Sequence, residues 1–272
     1  MTLPLPAWAD AFSSDLRAAL ARQDAPFGGL DRASVFRDAD GRGVTVAIVD
    51  SGVEAGHPAL AGHRIRQLRV DITEDAATVV DDPEGHDLVG HGTACAGIVA
   101  SVAPAAEIVS LRMLGADNRG KGRALAAAIE WTVSQRIEVV NLSLSSRSEQ
   151  MYAALHDIAD RSYFANTLLV CAANNAPGPS YPSLFASVVS VAAHDVPDPD
   201  TWFYNPSPPV EFGAYGVDVD VAWRGGGRIR ATGNSFAAPH LAGQAARLRS
   251  RYPSATPFEI KALLAATASV PG

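Results

Sequence analysis

The sequence predicts an α/β fold in which a doubly wound, mostly parallel β-sheet carries helices on both faces. Beyond residue 104, segments of strand and helix character alternate, which is typical of βαβ units. The first strong strand, at residues 44–49, reads VTVAIV and lacks polar–apolar alternation, as expected of a strand buried on both faces. The 272 residues, of which 47% are hydrophobic, suffice for one large core.

An extension with one amphipathic helix is predicted for residues 1–42, followed by one domain over residues 43–272. The helix is expected within residues 7–22, because large apolar residues recur there at four-residue spacing. They are Trp8, Phe12, Leu16 and Leu20. We expect this helix to pack on the domain as a brace, or to offer a surface to a partner.

The remaining elements follow from apolar runs and helix caps. Residues 54–90 are predicted to be irregular. Strands are predicted at 44–49, 107–113, 137–144, 167–173 and 187–193, with shorter candidates at 211–212 and 217–222. Helices are predicted at 124–135, 150–161 and 235–252, and a last helix begins at the TPFE run of residues 256–259, which has the pattern of a capping box.

Composition excludes several classes of function. A formal net charge of -7 gives no electrostatic footprint for nucleic acid or an anionic membrane. No run approaches the ~20 apolar residues that span a bilayer. Residues 1–22 lack the pattern of a signal peptide, so cytoplasmic residence is the default expectation. Cys95 and Cys171 lie in small or apolar runs and are expected to be buried thiols, with a single disulfide as the alternative.

Three polar residues stand at the ends of predicted elements. Asp50 follows the first strand, His91 lies between glycines at a helix start, and Ser235 opens a helix as its first residue. Carboxyl ends of parallel strands form the binding crevice of such sheets. Acid, base and nucleophile make a serine hydrolase triad. Their chain order, Asp, His, Ser, differs from that of α/β-hydrolases and of chymotrypsin-like enzymes.

The motifs around these residues resemble those of the subtilisin-like serine proteases, the subtilase family, over roughly residues 43–265. The acid motif is AIVDSGV at 47–53 with GHPAL at 56–60, the histidine motif HGTACAG at 91–97 and the serine motif GNSFAAPHLAG at 233–243. Three further segments match between them, LRMLGAD at 111–117, VNLSL at 140–144 and VCAANN at 170–175.

The resemblance implies roles for individual residues. Ser235 would be the nucleophile, His91 the general base and Asp50 the residue that orients the imidazole. Asn175 would donate its amide to the oxyanion, with Asn174 as the competing assignment. Peptide substrate would contact Leu114, Gly115, Ser143, Leu144, Ser145, Ala173 and Asn174.

Other polar residues in these motifs receive structural interpretations. His57 is expected to hydrogen-bond within a turn, and His240 to pack inside the serine helix. Asn141 could support the site from behind. Serines at 145 and 146 replace the glycines that usually follow this strand in the family, so we expect a narrowed cleft, and the P1 preference is not predicted.

No cofactor and no metal site are expected. The helix after His91 continues to Pro104 without the insertion that completes a tight calcium site in secreted subtilisins, so that site is expected to be absent. Acidic clusters at 74–75 and 81–84 leave a weak calcium site open.

The sequence therefore predicts a serine endopeptidase acting on a peptide or protein substrate through an acyl-enzyme. A dedicated intracellular role, or the processing of a precursor peptide of a ribosomal natural product, suits a compact domain of this kind. The alternatives are a non-catalytic peptide-binding pseudoprotease and a peptide ligase or macrocyclase with the same triad. Oligomeric state is not predicted.

Overall fold

A nine-stranded β-sheet runs through the part of the chain that the computed structural model describes, which is residues 5–12, 30–207 and 209–269. Its strands are β1 (Thr45–Asp50), β2 (Ile65–Ile72), β3 (Ala77–Asp81), β4 (Glu107–Arg112), β5 (Val139–Leu142), β6 (Leu168–Ala172), β7 (Val189–His194), β8 (Trp202–Tyr204) and β9 (Phe212–Tyr215). They lie in the order β3-β2-β4-β1-β5-β6-β7-β9-β8. All neighbours from β2 to β9 are parallel, and β3 and β8 are antiparallel at the edges.

Helices cover both faces of this sheet. The α-helices are α1 (Arg32–Val35), α2 (His91–Val102), α3 (Gly122–Ser134), α4 (Tyr152–Phe164), α5 (Asn234–Arg251) and α6 (Pro257–Ala266). Three short 3₁₀ helices span Ala9–Phe12, Pro58–Leu60 and Glu149–Met151. A separate antiparallel hairpin pairs β10 (Val219–Trp223) with β11 (Gly227–Ala231).

Alternate residues of β1 serve two different cores. Val46 and Ile48 pack in one apolar cluster with residues of α2, α5 and α6. Ala47 and Val49 face the opposite cluster, which includes residues of α3 and α4. Because successive side chains of a strand point to opposite faces, a central strand between two helical layers must be apolar throughout. The prediction of a doubly wound, mostly parallel sheet is confirmed.

The prediction that residues 54–90 are irregular is wrong, since β2 and β3 lie there. Both strands pair at the edge of the sheet and are largely half-exposed or exposed. Charged residues such as Arg66, Arg69 and Asp71 interrupt the apolar pattern of β2. β2 pairs with both β3 and β4, but its side chains are largely half-exposed, so charged residues are tolerated there and hide the strand from a search for apolar runs.

The predicted ends of the other elements agree with the structure to within a few residues, and the last helix has its cap. Thr256 and Glu259 form a capping box, with each side chain accepting a hydrogen bond from the other residue's N–H. β8 and β11, by contrast, were not predicted, because neither shows a long β-branched run.

The N-terminal extension is described only in part. Residues 9–12 form a 3₁₀ helix, and Phe12 is 1% exposed, packed in a small cluster with Phe203 and Val210. Leu16 and Leu20, with most of the predicted amphipathic helix, lie outside the described residues. The boundary at residue 43 stays a prediction.

Both cysteines are free and buried, as expected. Cys95 belongs to the cluster on the α2 and α5 face and Cys171 to the cluster on the α3 and α4 face, so the sheet separates the two thiols and the alternative of a disulfide is wrong. Within the described ranges, no helix combines the length and the apolar character that a bilayer crossing requires.

Candidate active site

The three residues of the predicted triad lie at the ends of regular elements. Asp50 is the last residue of β1, and His91 is the first residue of α2. Ser235 is the second residue of α5 rather than its first, because the helix already begins at Asn234. His91 and Ser235 line one cleft, and Asp50 lies behind His91. The parallel strands thus bring residues 50, 91 and 235 to one edge of the sheet.

Asp50 and His91 form a buried, bidentate contact. His91 Nδ1 lies 2.9 Å from both Asp50 Oδ1 and Asp50 Oδ2, and Asp50 has no exposed surface. Their approach depends on Gly92, where a Cβ would lie 2.0 Å from the carbonyl oxygen of Gly52. Only glycine therefore lets the start of α2 press against the turn after β1.

The environment of His91 favours its charged form. Burial opposes protonation, but the attraction and hydrogen bond of the Asp50 carboxylate outweigh it, so the pKa of His91 is raised well above its ordinary value of 6.5. Cys95 lies beside this pair, with Sγ 3.9 Å from Asp50 Oδ2. Burial raises the pKa of the Cys95 thiol, which keeps this neighbour neutral.

Asp87 organises the same corner and was missed by the sequence analysis. Its Oδ1 accepts hydrogen bonds from the Ser51 hydroxyl and from the N–H groups of Val89 and Gly90. Its Oδ2 accepts the N–H and the hydroxyl of Thr93, at 2.8 and 2.6 Å. Asp87 therefore ties the turn after β1 to the first turn of α2. An aspartate just before a helix start is a known capping signal, which could have identified it.

Two buried polar side chains hold the main chain of Ser235 in place. The Ser143 hydroxyl donates to the Ser235 carbonyl at 2.7 Å, and Asn141 Nδ2 donates to Ser143 Oγ at 3.0 Å. Both Asn141 and Ser143 are buried. Asn141 thus supports the site from behind, as the sequence suggested.

Asn175 lies in the exposed loop after β6, with its amide facing the start of α5. Its Oδ1 accepts the Asn234 N–H at 2.8 Å, which leaves Nδ2 as the donor. The competing Asn174 directs its Oδ1 to the N–H of Ala176 at 2.8 Å, within its own loop. The geometry therefore favours Asn175 as the oxyanion donor.

The cleft in front of these groups has a volume of about 410 Å³. Most of the residues predicted to contact substrate line it, namely Leu114, Ser143, Leu144, Ser145, Ala173 and Asn174. Gly115 does not line it; its N–H bonds to the carbonyl of Arg119 and closes a turn. That turn brings two exposed cations, Arg119 and Lys121, to the cleft wall, which the sequence analysis did not predict.

A main-chain bridge joins two segments that border the cleft. Ser146 and Tyr181 exchange two main-chain hydrogen bonds, both 2.8 Å long. This bridge joins the segment after β5 to the segment after Asn175, and both Ser145 and Ser146 line the cleft. The narrowing of the cleft by these serines stays a prediction.

Two other histidines have structural roles. His57 caps the 3₁₀ helix at residues 58–60, with Nδ1 accepting the Ala59 N–H, while its Nε2 lies 2.8 Å from the Gly227 carbonyl. Burial lowers the pKa of His240 to about 4, so this residue is neutral inside α5. Its Nδ1–H donates to the carbonyl of Phe236.

Among the described residues, one group of three has ligand atoms close enough to hold a metal ion: Asp50, His91 and Cys95, all within 4.8 Å. This group is the triad pair with its neighbouring thiol, and a nitrogen–sulfur–oxygen set is unlike the all-oxygen shell that calcium takes. The expectations about calcium stay predictions.

Comparison with known proteins assigns this geometry to a family. The model of the subtilase family matches residues 41–272. Among curated proteins, a thermostable alkaline protease of Halalkalibacterium halodurans is 33% identical over 243 residues, which are 85% of this chain and 64% of that protein. Subtilisin BL of Lederbergia lenta is 32% identical over 86% of each chain. The chain thus spans just under two thirds of the first relative and most of the second.

Two solved protease structures are also similar to this chain. A structure titled S41 psychrophilic protease has a TM-score of 0.71 and 26% identity, covering 92% of this chain and 91% of its own. A cold-adapted subtilisin-like serine proteinase has a TM-score of 0.67, also at 26% identity, covering 92% and 90%.

Replacing Asp87 with asparagine is expected to lower the free energy of unfolding by about 1–3 kcal/mol. In asparagine an NH₂ group replaces one carboxylate oxygen. This donor would face other N–H and O–H donors, so buried polar groups would be left unpaired. Urea unfolding measures the change. Asp75→Asn removes the same charge at an exposed position and should alter the free energy by less than about 0.5 kcal/mol. Equal effects of the two substitutions would contradict the role given to Asp87.

Proposed function

The chain belongs to the subtilase family and is a subtilisin-like serine endopeptidase, and on that premise we propose that Asp50, His91 and Ser235 cleave a selected peptide substrate in the cleft they share. The observation that carries the proposal is the buried Asp50–His91 pair, with the imidazole and Ser235 facing the same cavity. Asn175 and the main chain at Ser235 complete the site.

In the proposed mechanism each group has a defined role. Ser235 Oγ attacks the scissile carbonyl carbon while His91 Nε2 takes the hydroxyl proton. Asp50 accepts the Nδ1–H and stabilises the imidazolium. The carbonyl π electrons move to oxygen, and Asn175 Nδ2–H with the Ser235 N–H donates to that oxyanion. The Ser235 N–H is available because first-turn amides have no partner within the helix.

Collapse of the tetrahedral intermediate breaks the C–N bond. His91 returns its proton to the departing amine, and an ester joins the substrate's acyl group to Ser235. Water then attacks the ester, giving its proton to His91. The second intermediate expels Ser235 Oγ, which recovers the proton from His91, and a carboxylic acid leaves. Asn175 stabilises both oxyanions.

Two features of the cleft support a dedicated substrate. Its wall carries the cations Arg119 and Lys121, and no carboxylate occurs among the described residues that line it, although the whole chain has a net charge of -7. The Ser146–Tyr181 bridge holds together the segments after β5 and after Asn175. We therefore propose that the enzyme processes a peptide with acidic side chains close to the cleaved bond. A precursor peptide within the cell, or that of a ribosomal natural product, fits this description.

A fluorophosphonate probe tests the nucleophile. Such probes phosphonylate a serine only when a base and an oxyanion site activate it. We expect one probe per chain, located at Ser235 by peptide mass spectrometry, and no labelling of Ser235→Ala. Labelling of Ser101→Ala, a change on the far part of α2, should match the parent. A parent protein that stays unlabelled, or a Ser235→Ala variant that labels equally, would sink the proposal.

The pH dependence of cleavage should show the raised pKa of His91. The imidazole must be neutral to accept the serine proton, so activity is lost as pH falls through the His91 pKa. Because the Asp50 carboxylate raises that pKa, the acidic limb of kcat/KM should lie above the ordinary value of 6.5. Asp50→Asn should lower kcat by about 10⁴ and move the limb to lower pH. An acidic limb below pH 6 in the parent would contradict this environment.

Charge on the cleft wall should select substrates. With a peptide library varied on both sides of the cleaved bond, Arg119→Ser/Lys121→Ser should lower kcat/KM for acidic sequences about threefold to tenfold. Neutral sequences should change by less than twofold. Arg37→Ser/Arg42→Ser removes two exposed cations from the segment before β1 and serves as the charge-matched control. Equal preference for acidic and basic sequences in the parent would refute the selectivity.

A further inference from the structure

Residues 5–12, which we name the strap, reach from the N-terminal extension to the back of the oxyanion site. The Ala7 N–H donates to the main-chain carbonyl of Asn175 at 2.8 Å. The Ala7 carbonyl accepts a hydrogen bond from Asn234 Nδ2 at 3.0 Å. Both main-chain polar groups of Ala7 are therefore hydrogen-bonded, the N–H to the proposed oxyanion donor and the carbonyl to the residue that precedes Ser235. Of the described strap residues, none lines the cleft.

Asn234 joins the strap to the strands. Its side chain is fully buried; Nδ2 also donates to the carbonyls of Ala173 and Asn174, at 3.1 and 3.3 Å. Its Oδ1 accepts the Ala193 N–H at 2.9 Å. The Asn234 N–H holds Asn175 Oδ1. One residue therefore connects the strap, β7 and the loop that carries the oxyanion donor.

Phe12 anchors the other end of the strap. Its ring is 1% exposed and packs in a cluster that includes Ala173 and Ala192. Ala173 also lines the cleft, so Phe12 supports the cleft wall from behind. Gly213 in β9 makes the space for the ring, because a Cβ at that position would lie 2.5 Å from Phe12 Cδ1.

Asn175 needs such support because it lies in an exposed loop. An oxyanion donor contributes fully only when its amide is already aimed at the position where charge develops. The Asn234 N–H fixes the Asn175 side chain, and the Ala7 N–H fixes its main chain. From these contacts we propose that the strap is a positioning element of the oxyanion hole, acting through Asn175. It raises the rate of the chemical step without contacting substrate.

The rate of fluorophosphonate labelling tests this role without a peptide substrate. The phosphoryl oxygen takes the oxyanion position, so labelling needs the donor but no subsite. Phe12→Ala should lower the second-order labelling rate constant about tenfold. This is less than the about 10²–10³-fold loss in kcat known for removing the donor itself in a subtilisin. Phe164→Ala, which removes a ring that is 83% exposed, should leave the rate within twofold.

A double-mutant cycle separates positioning from general destabilisation. In an Asn175→Ala background, Phe12→Ala should slow labelling by less than twofold, because the group that the strap positions is gone. An equal slowing with and without Asn175 would overturn the proposal, as would an unchanged rate in the single variant. All rates are taken at a temperature where each variant is folded by circular dichroism.

Gly213→Ala is a second substitution that disturbs the packing of Phe12. Its methyl group would displace the Phe12 ring without deleting it, so it serves if Phe12→Ala fails to fold. The expected result is the same tenfold loss, again absent in the Asn175→Ala background. A Gly213→Ala protein that labels at the parent rate would overturn the proposal.

Discussion

The contact between Asp50 and His91 is the interaction on which the rest of the site depends. A carboxylate with no exposed surface is costly unless its oxygens are bonded, and both oxygens of Asp50 face the imidazole Nδ1. This contact requires that the C-terminal end of β1 lie next to the N-terminal end of α2 in space. Gly92 permits the close approach, and Asp87 binds the two segments together. Gly92 and Asp87 therefore serve to hold Asp50 and His91 together and do not themselves take part in the reaction.

Much of this arrangement follows from the sequence because it lies on regular elements. β1 is an apolar run that ends at Asp50, and His91 opens a helix of small residues, so the pattern itself locates both. Ser235 was placed within one residue, which is the usual uncertainty of a helix boundary. Strand order brings these positions to one edge, and that step required the family motifs, since periodicity alone does not give the order of strands.

The features that the sequence did not reveal depend on contacts between distant segments. β2 was hidden because it lies next to the edge of the sheet and is largely half-exposed, so it carries Arg66 and Arg69 where a fully buried central strand would not. The cations Arg119 and Lys121 reach the cleft through a turn that is closed by hydrogen bonds, among them the bond from the Gly115 N–H to the Arg119 carbonyl. The bonds of Ala7 to Asn175 and Asn234 join residues more than 160 positions apart. No local pattern specifies such pairs.

The residues of the site differ in how firmly regular elements hold them, and this difference explains why contacts from the strap are useful at Asn175. Asp50, His91 and Ser235 belong to β1, α2 and α5, whose hydrogen-bond ladders and buried packing fix their main chains. Asn175 lies in a loop, where neither restraint operates. Hydrogen bonds from Asn234 and from the strap hold this loop and its amide before charge develops, and the strap does so without lining the cleft. In the strap, Phe12 fills the space over Gly213 and Ala7 bonds to Asn175.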